Sequence, residues 1–141
     1  MTRLIFAALL AGAGLAAAAT AAPIVSNAWL RALPGTSPAA GYFTLANTGT
    51  TPITLTGAAS PACGSAMLHM THNMDGMVHM MMVASVVVPA GGKIEFAPGG
   101  YHVMCMEPKN LKPGTSVPVT LQFSGGATLT VPFAVRSATG R

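Results

Sequence analysis

The sequence predicts an all-β sandwich, and two observations support this. Short runs of β-branched and aromatic residues alternate with Gly, Pro and Asn, a pattern typical of a sandwich made from short strands. The high content of Thr, Val, Gly and Pro between residues 40 and 135 also opposes long helices. No internal repeat or linker follows the N-terminal segment, so we expect one domain around one hydrophobic core.

Nine segments have strand character, and turn residues separate them. In chain order, the predicted strands are Ile24–Arg31, Gly41–Asn47, Ile53–Gly57, Ala66–Thr71, Val78–Val88, Lys93–Phe96, Tyr101–Met106, Ser116–Phe123 and Thr128–Val135. Among the turns, Asp75-Gly76 has the composition of a tight hairpin turn and predicts that its flanking strands pair side by side. The long segment Val78–Val88 is either one strand or two strands divided by a bulge.

The N-terminus has the features of a secretory signal peptide. A basic start at Arg3 precedes an apolar run from Leu4 to Ala19, and Ala19-Thr20-Ala21 fits a small-x-small cleavage site. We therefore expect residues 1–21 to be removed and residues 22–141 to form the exported domain. The apolar run is short for a membrane span, and we expect no span in the mature chain.

The charge distribution excludes several functional classes. Seven Lys and Arg residues, of which Arg3 lies in the leader, are scattered along the chain and form no basic patch, so we expect no nucleic-acid partner. Three acidic residues are too few for a Ca²⁺ or Mg²⁺ cage. No convincing nucleophile–base pair is present either, and we expect no enzymatic activity.

The two cysteines, Cys63 and Cys105, predict one intramolecular disulfide. Disulfides persist in exported proteins, and an even count favours a bridge over two free thiols. The bridge would join the segment before His69 to the strand that holds His102. Two thiols so far apart in sequence are also unlike the close cysteine pairs of zinc modules.

Soft metal donors are concentrated in one part of the chain. All four histidines and nine of the ten methionines lie between Met67 and Met106. Thioethers and imidazoles form a soft ligand set, which in an exported protein indicates copper, particularly Cu(I). Because side chains at i and i+2 share a strand face, His102 and Met104 should converge on one ion. The predicted hairpin should bring the strands of His69 and Met80 beside each other.

The four donors His69, Met80, His102 and Met104 have the spacing H-x10-M-x21-H-x-M. In this spacing the chain resembles the PCuAC-type periplasmic copper chaperones, and the resemblance covers nearly all of the mature sequence. The matching flanks include Asn27-Ala28-Trp29-Leu30-Arg31-Ala32, Ala40–Gly49, Pro89-Ala90-Gly91-Gly92 and Pro98–His102. The resemblance implies a cupredoxin-like or immunoglobulin-like β-sandwich in the periplasm, with an exposed Cu(I) site. It also implies copper delivery to an acceptor, namely the binuclear copper centre of cytochrome c oxidase or another copper chaperone.

The hairpin carries more donors than that spacing requires. We expect a second, weaker copper site at its tip, built from some of Met70, His72, Met74, Met77 and His79. Thioethers prefer Cu(I) and imidazoles also bind Cu(II), so both oxidation states are open there. The surplus also leaves open whether Met80 or Met81 is a ligand of the first site.

Three functions fit these residues. The leading interpretation is a monomeric metallochaperone that carries one or two copper ions. A copper-sequestering or tolerance protein is the first alternative, since the surplus donors would suit storage. A cupredoxin that transfers electrons is the second, but it needs a cysteine thiolate beside two histidines, and Cys105 should face away from His102 and Met104.

Overall fold

The computed structural model describes residues 22–140, in which ten strands and no helix occur. The predicted signal peptide, residues 1–21, lies outside the described residues. The strands are β1 (Ile24–Arg31), β2 (Ala39–Ala46), β3 (Ile53–Ala59), β4 (Cys63–Met74), β5 (Met77–Met82), β6 (Val86–Val88), β7 (Lys93–Phe96), β8 (Tyr101–Pro108), β9 (Ser116–Phe123) and β10 (Thr128–Arg136). Residues 22–140 contain no helix that is long and apolar enough to cross a membrane.

The strands form an immunoglobulin-like β-sandwich, as the sequence predicts. Hydrogen bonds connect them in the order β5-β4-β8-β2-β1-β10-β9-β3-β6, and β7 pairs with the second half of β2. All pairs are antiparallel except β1 with β10. Because alternate side chains face opposite sides of a strand, the path can enclose apolar residues between its two halves.

The core contains side chains from both halves of this path. Phe43 of β2 stacks on Phe96 at 4.4 Å between ring centroids and meets the edge of Phe133 of β10 at 5.6 Å. Leu68 and Val103 extend the core beneath β4 and β8. The strands that carry His69, His102 and Met104 are therefore packed on a buried apolar layer.

Two strand predictions need correction. The segment Val78–Val88 forms two strands, and no bulge within one ladder divides it: β5 pairs with β4 at one end of the strand order, and β6 pairs with β3 at the other. Residues 83–85 cross between the two edges. The segment predicted as Ala66–Thr71 is also longer, because β4 runs from Cys63 to Met74.

The predicted hairpin and disulfide are both present. Asp75 and Gly76 have φ values of 53° and 75°, as a two-residue type I′ turn requires, and Met74 pairs with Met77 directly across it. Cys63 and Cys105 are joined by a disulfide with Cα atoms 5.3 Å apart. This bridge ties the start of β4 to β8, so the two strands are linked covalently as well as by their ladder.

Candidate metal centre

The centre is built on the ladder between β4 and β8, which places His69 directly opposite His102. Directly opposed residues of a ladder project from the same face of the sheet. The two imidazole rings accordingly lie together, with centroids 5.7 Å apart and planes inclined at 62°. The fold therefore brings two of the four predicted ligands into contact, although they are 33 positions apart in sequence.

Three of the four ring nitrogens of this pair have no hydrogen-bond partner among the described residues. The Nδ1 of His102 lies 3.2 Å from the carbonyl oxygen of Gly100, and as the N–H tautomer it donates a hydrogen bond to that oxygen. The proton on Nδ1 leaves the Nε2 lone pair free. Nε2 of His102 and both ring nitrogens of His69 are buried and have no hydrogen-bond partner within residues 22–140. Buried polar atoms without partners are costly, and a metal ion would satisfy them.

Both imidazoles are held neutral. Burial lowers the pKa of His69, and the neighbouring His102 lowers it further. Burial also lowers the pKa of His102, against a smaller opposing effect of the hydrogen bond to Gly100. Since only a neutral imidazole has a lone pair to donate, the lowered pKa values keep the pair competent as ligands below the usual pKa of histidine.

Methionine sulfurs lie on the same face as the two imidazoles. Met104 follows His102 by two positions and is only 9% exposed. On β5, Met80 is opposite Thr71, two positions from His69, and its side chain is 58% exposed. Diagonal neighbours in an antiparallel pair lie about 7–8 Å apart, within reach of a long side chain. The face thus has a buried side at Met104 and a solvent side at Met80.

The register also separates Met80 from Met81. Met81 pairs with Met70, and both lie on the opposite face of the hairpin from His69. The geometry therefore favours Met80 over Met81 as the partner of the two histidines.

Sequence reasoning missed two methionines on this face. Met82 is directly opposite His69 in the β4–β5 ladder, and Met67 is directly opposite Met104 in the β4–β8 ladder. The position of Met82 could have been predicted from the sequence. If Asp75-Gly76 is a two-residue turn, Met74 pairs with Met77, and the same register pairs His69 with Met82. The position of Met67 could not have been predicted in this way, because β4 and β8 are far apart in sequence and no short turn sets their register.

The donors that were expected at the hairpin tip lie outside the turn itself. They lie in the paired strands, where the rungs are Met70 with Met81, His72 with His79 and Met74 with Met77. All three rungs share the face opposite His69. The structure therefore divides the donors into two sets, one on each side of the hairpin.

An aromatic and cationic cluster lies beside His102. The Tyr42 ring centroid lies 6.5 Å from that of His102, and Tyr42 stacks at an angle on Trp29 at 4.9 Å. The Arg31 guanidinium lies over the Tyr42 ring at 5.2 Å. Burial raises the pKa of Tyr42, and Arg31 partly opposes this effect. The Tyr42 side chain is therefore uncharged at neutral pH beside the site.

The disulfide bears on the alternative that the protein is an electron-transfer cupredoxin. Both cysteines of the sequence are consumed in the bridge, so no thiolate remains for copper. The electron-transfer cupredoxin requires that thiolate, and the structure does not provide it. Within residues 22–140, no three His, Cys, Asp or Glu side chains converge on a metal position. The donors beside the imidazole pair are neutral thioethers.

Two solved copper-bound structures share this architecture. The copper-bound PCuAC domain from PmoF2 superposes with a TM-score of 0.69 at 26% identity, over 84% of this chain and 96% of that domain. The solution structure of CuI-DR1885 from Deinococcus radiodurans has a TM-score of 0.64 at 36% identity, over 88% of this chain and 83% of that one. The fold and the clustered donors thus define a β-sandwich of the PCuAC type.

The sequence comparisons identify the family. The chain belongs to the family described as "Putative lipoprotein LpqE-like", whose model matches residues 24–135. It is also 37% identical over 118 residues to "Putative lipoprotein Lxx21020" of Leifsonia xyli subsp. xyli (strain CTCB07), covering 82% of this chain and 70% of the relative.

Proposed function

We propose that this protein is an exported copper chaperone that binds Cu(I) through His69, Met80, His102 and Met104. The observation that carries the proposal is the opposed pair His69 and His102, with three buried ring nitrogens that find no partner within residues 22–140. The similarity to copper-bound PCuAC domains supports the same cargo.

The donor set favours Cu(I) over divalent ions. Two neutral imidazoles and two thioethers add no negative charge, and thioether sulfur is a soft ligand that selects Cu(I). Thioethers need no deprotonation and form no disulfides, so they remain ligands in an oxidising compartment. Their weakness is oxidation to the sulfoxide, which turns a soft donor into a polar oxygen group.

The uneven exposure of the ligands suits transfer of the cargo. His102 and Met104 are 2% and 9% exposed, whereas Met80 is more than half exposed. An incoming donor from an acceptor can therefore displace the Met80 sulfur first, while the buried ligands still hold the ion. Copper would then move by stepwise exchange of ligands, without release into solution.

The acceptor follows from the resemblance to PCuAC chaperones. We propose delivery in the periplasm to a copper protein, with the binuclear centre of cytochrome c oxidase or another copper chaperone as the expected recipient. The match to a family described as lipoproteins supports export of the chain. We expect the carrier to be a monomer.

Two methionines of the same strand give a matched test of the site. Met80 and Met77 are 58% and 63% exposed but lie on opposite faces of β5. In titrations of Cu(I) against a competing chelator, Met80→Leu should weaken the tightest site tenfold or more, and Met77→Leu should leave it unchanged. X-ray absorption should count two nitrogen and two sulfur neighbours. Equal affinities for both variants and the parent protein would refute the assignment of Met80.

A copper-sequestering or tolerance protein remains the second candidate, and the donors on the other face of the hairpin favour it. Stoichiometry separates the two functions, because a carrier should bind one or two ions and a store should bind several.

A further inference from the structure

The hairpin of β4 and β5 has a second face that the proposed Cu(I) site does not use. This face carries a ladder of three rungs, Met70 with Met81, His72 with His79, and Met74 with Met77. We propose that it holds a second copper site, in which His72 and His79 bind one Cu(I) together with the thioethers of Met70 and Met81. This inference rests on different residues from the first site and does not require that site to exist.

The rung of two histidines supplies the core of the second site. Directly opposed residues of an antiparallel pair have Cβ atoms about 4.5–5.5 Å apart and project from the same face. Two imidazoles so placed can close on one ion at metal–nitrogen distances of about 2 Å. Both side chains are exposed, so solvent copper has access to them.

The inner methionine rung is better placed than the outer one to complete the site. Position 70 is paired on both sides, with Met81 of β5 and with Tyr101 of β8, so its backbone belongs to a three-stranded part of the sheet. Met74 and Met77 instead flank the Asp75-Gly76 turn, where only two strands are present. Met70 is also the least exposed of these methionines, at 36%. The inner sulfurs are therefore held more firmly before the metal arrives.

The composition of the hairpin argues against a purely structural role for these residues. β5 is an edge strand, and all six of its side chains are exposed. Edge strands usually carry charged residues that prevent association with other chains, yet Asp75 is the only Asp, Glu, Lys or Arg between Cys63 and Met82. Exposed thioethers that bury little against the core gain little from packing. Metal binding gives them a function that packing does not.

The test is a Cu(I) titration of residues 22–141 under anaerobic conditions, against a chromogenic Cu(I) chelator. The parent protein should bind two equivalents, and His72→Ala/His79→Ala should bind one with the affinity of the tighter site unchanged. The matched control is Asn73→Ala/Val78→Ala, which alters the cross-strand pair between two rungs but on the other face of the hairpin. It should keep two equivalents.

Two further variants test the choice of sulfurs. Met70→Leu/Met81→Leu should lose the second equivalent, and Met74→Leu/Met77→Leu should retain it. In NMR spectra with Ag(I) as a diamagnetic probe, the methyl signals of Met70 and Met81 should shift with the second equivalent. Loss of that equivalent in the outer variant alone would overturn the assignment of the inner sulfurs.

The outcomes for the two sites are separable. A second equivalent that survives His72→Ala/His79→Ala, or a parent protein that binds only one equivalent and keeps it in that variant, overturns this inference. A parent protein that binds one equivalent and loses it in that variant supports this inference and refutes the first site.

Discussion

Opening the disulfide should destabilise the fold without weakening the first copper site. The informative variant is Cys63→Ala, because Cys105 is fully buried and its retained sulfur still fills the space it occupies in the core. Cys63 is only partly buried, so its truncation removes little packing. The change therefore isolates the effect of the cross-link.

The magnitude follows from the length of chain that the bridge closes. Cys63 and Cys105 are 42 positions apart, and the chain-entropy relation for a loop of that length gives about 4 kcal/mol at 25 °C. For a domain near this size, that loss corresponds to a fall in Tm of about 15 °C. The relation is an upper value, because residual structure in the unfolded chain reduces the entropy that the bridge removes.

The assay combines urea unfolding with Cu(I) titration. We expect the free energy of unfolding of apo Cys63→Ala to fall by about 2–4 kcal/mol, while the affinity of the tightest site stays within twofold of the parent value. The affinity should persist because Cys105 alternates with Met104 along β8 and faces the core with Val103. A tenfold loss of affinity with unchanged stability would refute the reasoning, since it would make a cysteine a ligand.

Three further predictions follow from the site and the core. Met104→Leu keeps volume and apolarity, so it should fold normally but lower Cu(I) affinity tenfold or more, equivalent to at least about 1.4 kcal/mol, and unchanged affinity in the chelator titration would remove Met104 from the site. The lowered pKa values of His69 and His102 mean that the apo fold binds fewer protons than the unfolded chain below the ordinary histidine pKa of about 6.5. The stability that the neutral histidines contribute should be fully present above that pH and should be lost as the pH falls through the lowered pKa values. Urea unfolding at pH 7.5 and at pH 5 measures this loss of unfolding free energy. The loss should be smaller in His69→Gln/His102→Gln. Phe43→Ala removes a ring that packs on Phe96 and Phe133 and should cost about 3–5 kcal/mol in the same assay, and a loss below 1 kcal/mol would contradict the core described here.

Local signals in the sequence were sufficient for most of the fold. The alternation of strand and turn residues predicts nearly every strand to within a few positions, and Asp75-Gly76 predicts the hairpin. Whether Val78–Val88 is one strand or two was left open, because the run from Met77 to Val88 contains no Gly, Pro or Asn to mark a break. The chain crosses from one sheet edge to the other there, and only tertiary pairing determines that crossing.

The centre was predictable to a smaller extent. Alternation along one strand places His102 and Met104 on one face, and the spacing of the four donors carries the resemblance to PCuAC chaperones. The burial of His102 and the hydrogen bond that fixes its Nδ1 proton depend on the loop at Gly100. The direct opposition of His69 and His102 depends on the β4–β8 register. That register is non-local, so sequence spacing alone cannot give the opposition of the two histidines.

Consecutive donors of this hairpin are divided between its two faces by the alternation of side chains along a β-strand. Met80, Met81 and Met82 must present sulfur to both faces, because adjacent side chains of a strand alternate. One face also carries His69 and His102, whose strands are joined by the β4–β8 ladder and by the disulfide. The other face carries the exposed pair His72 and His79, on the part of the hairpin that extends beyond β8. Such an arrangement predicts a tight site and a weaker, faster-exchanging site on one element. Copper bound at the exposed face should therefore dissociate faster in stopped-flow chelator competition, and His72→Ala/His79→Ala should abolish only the fast phase.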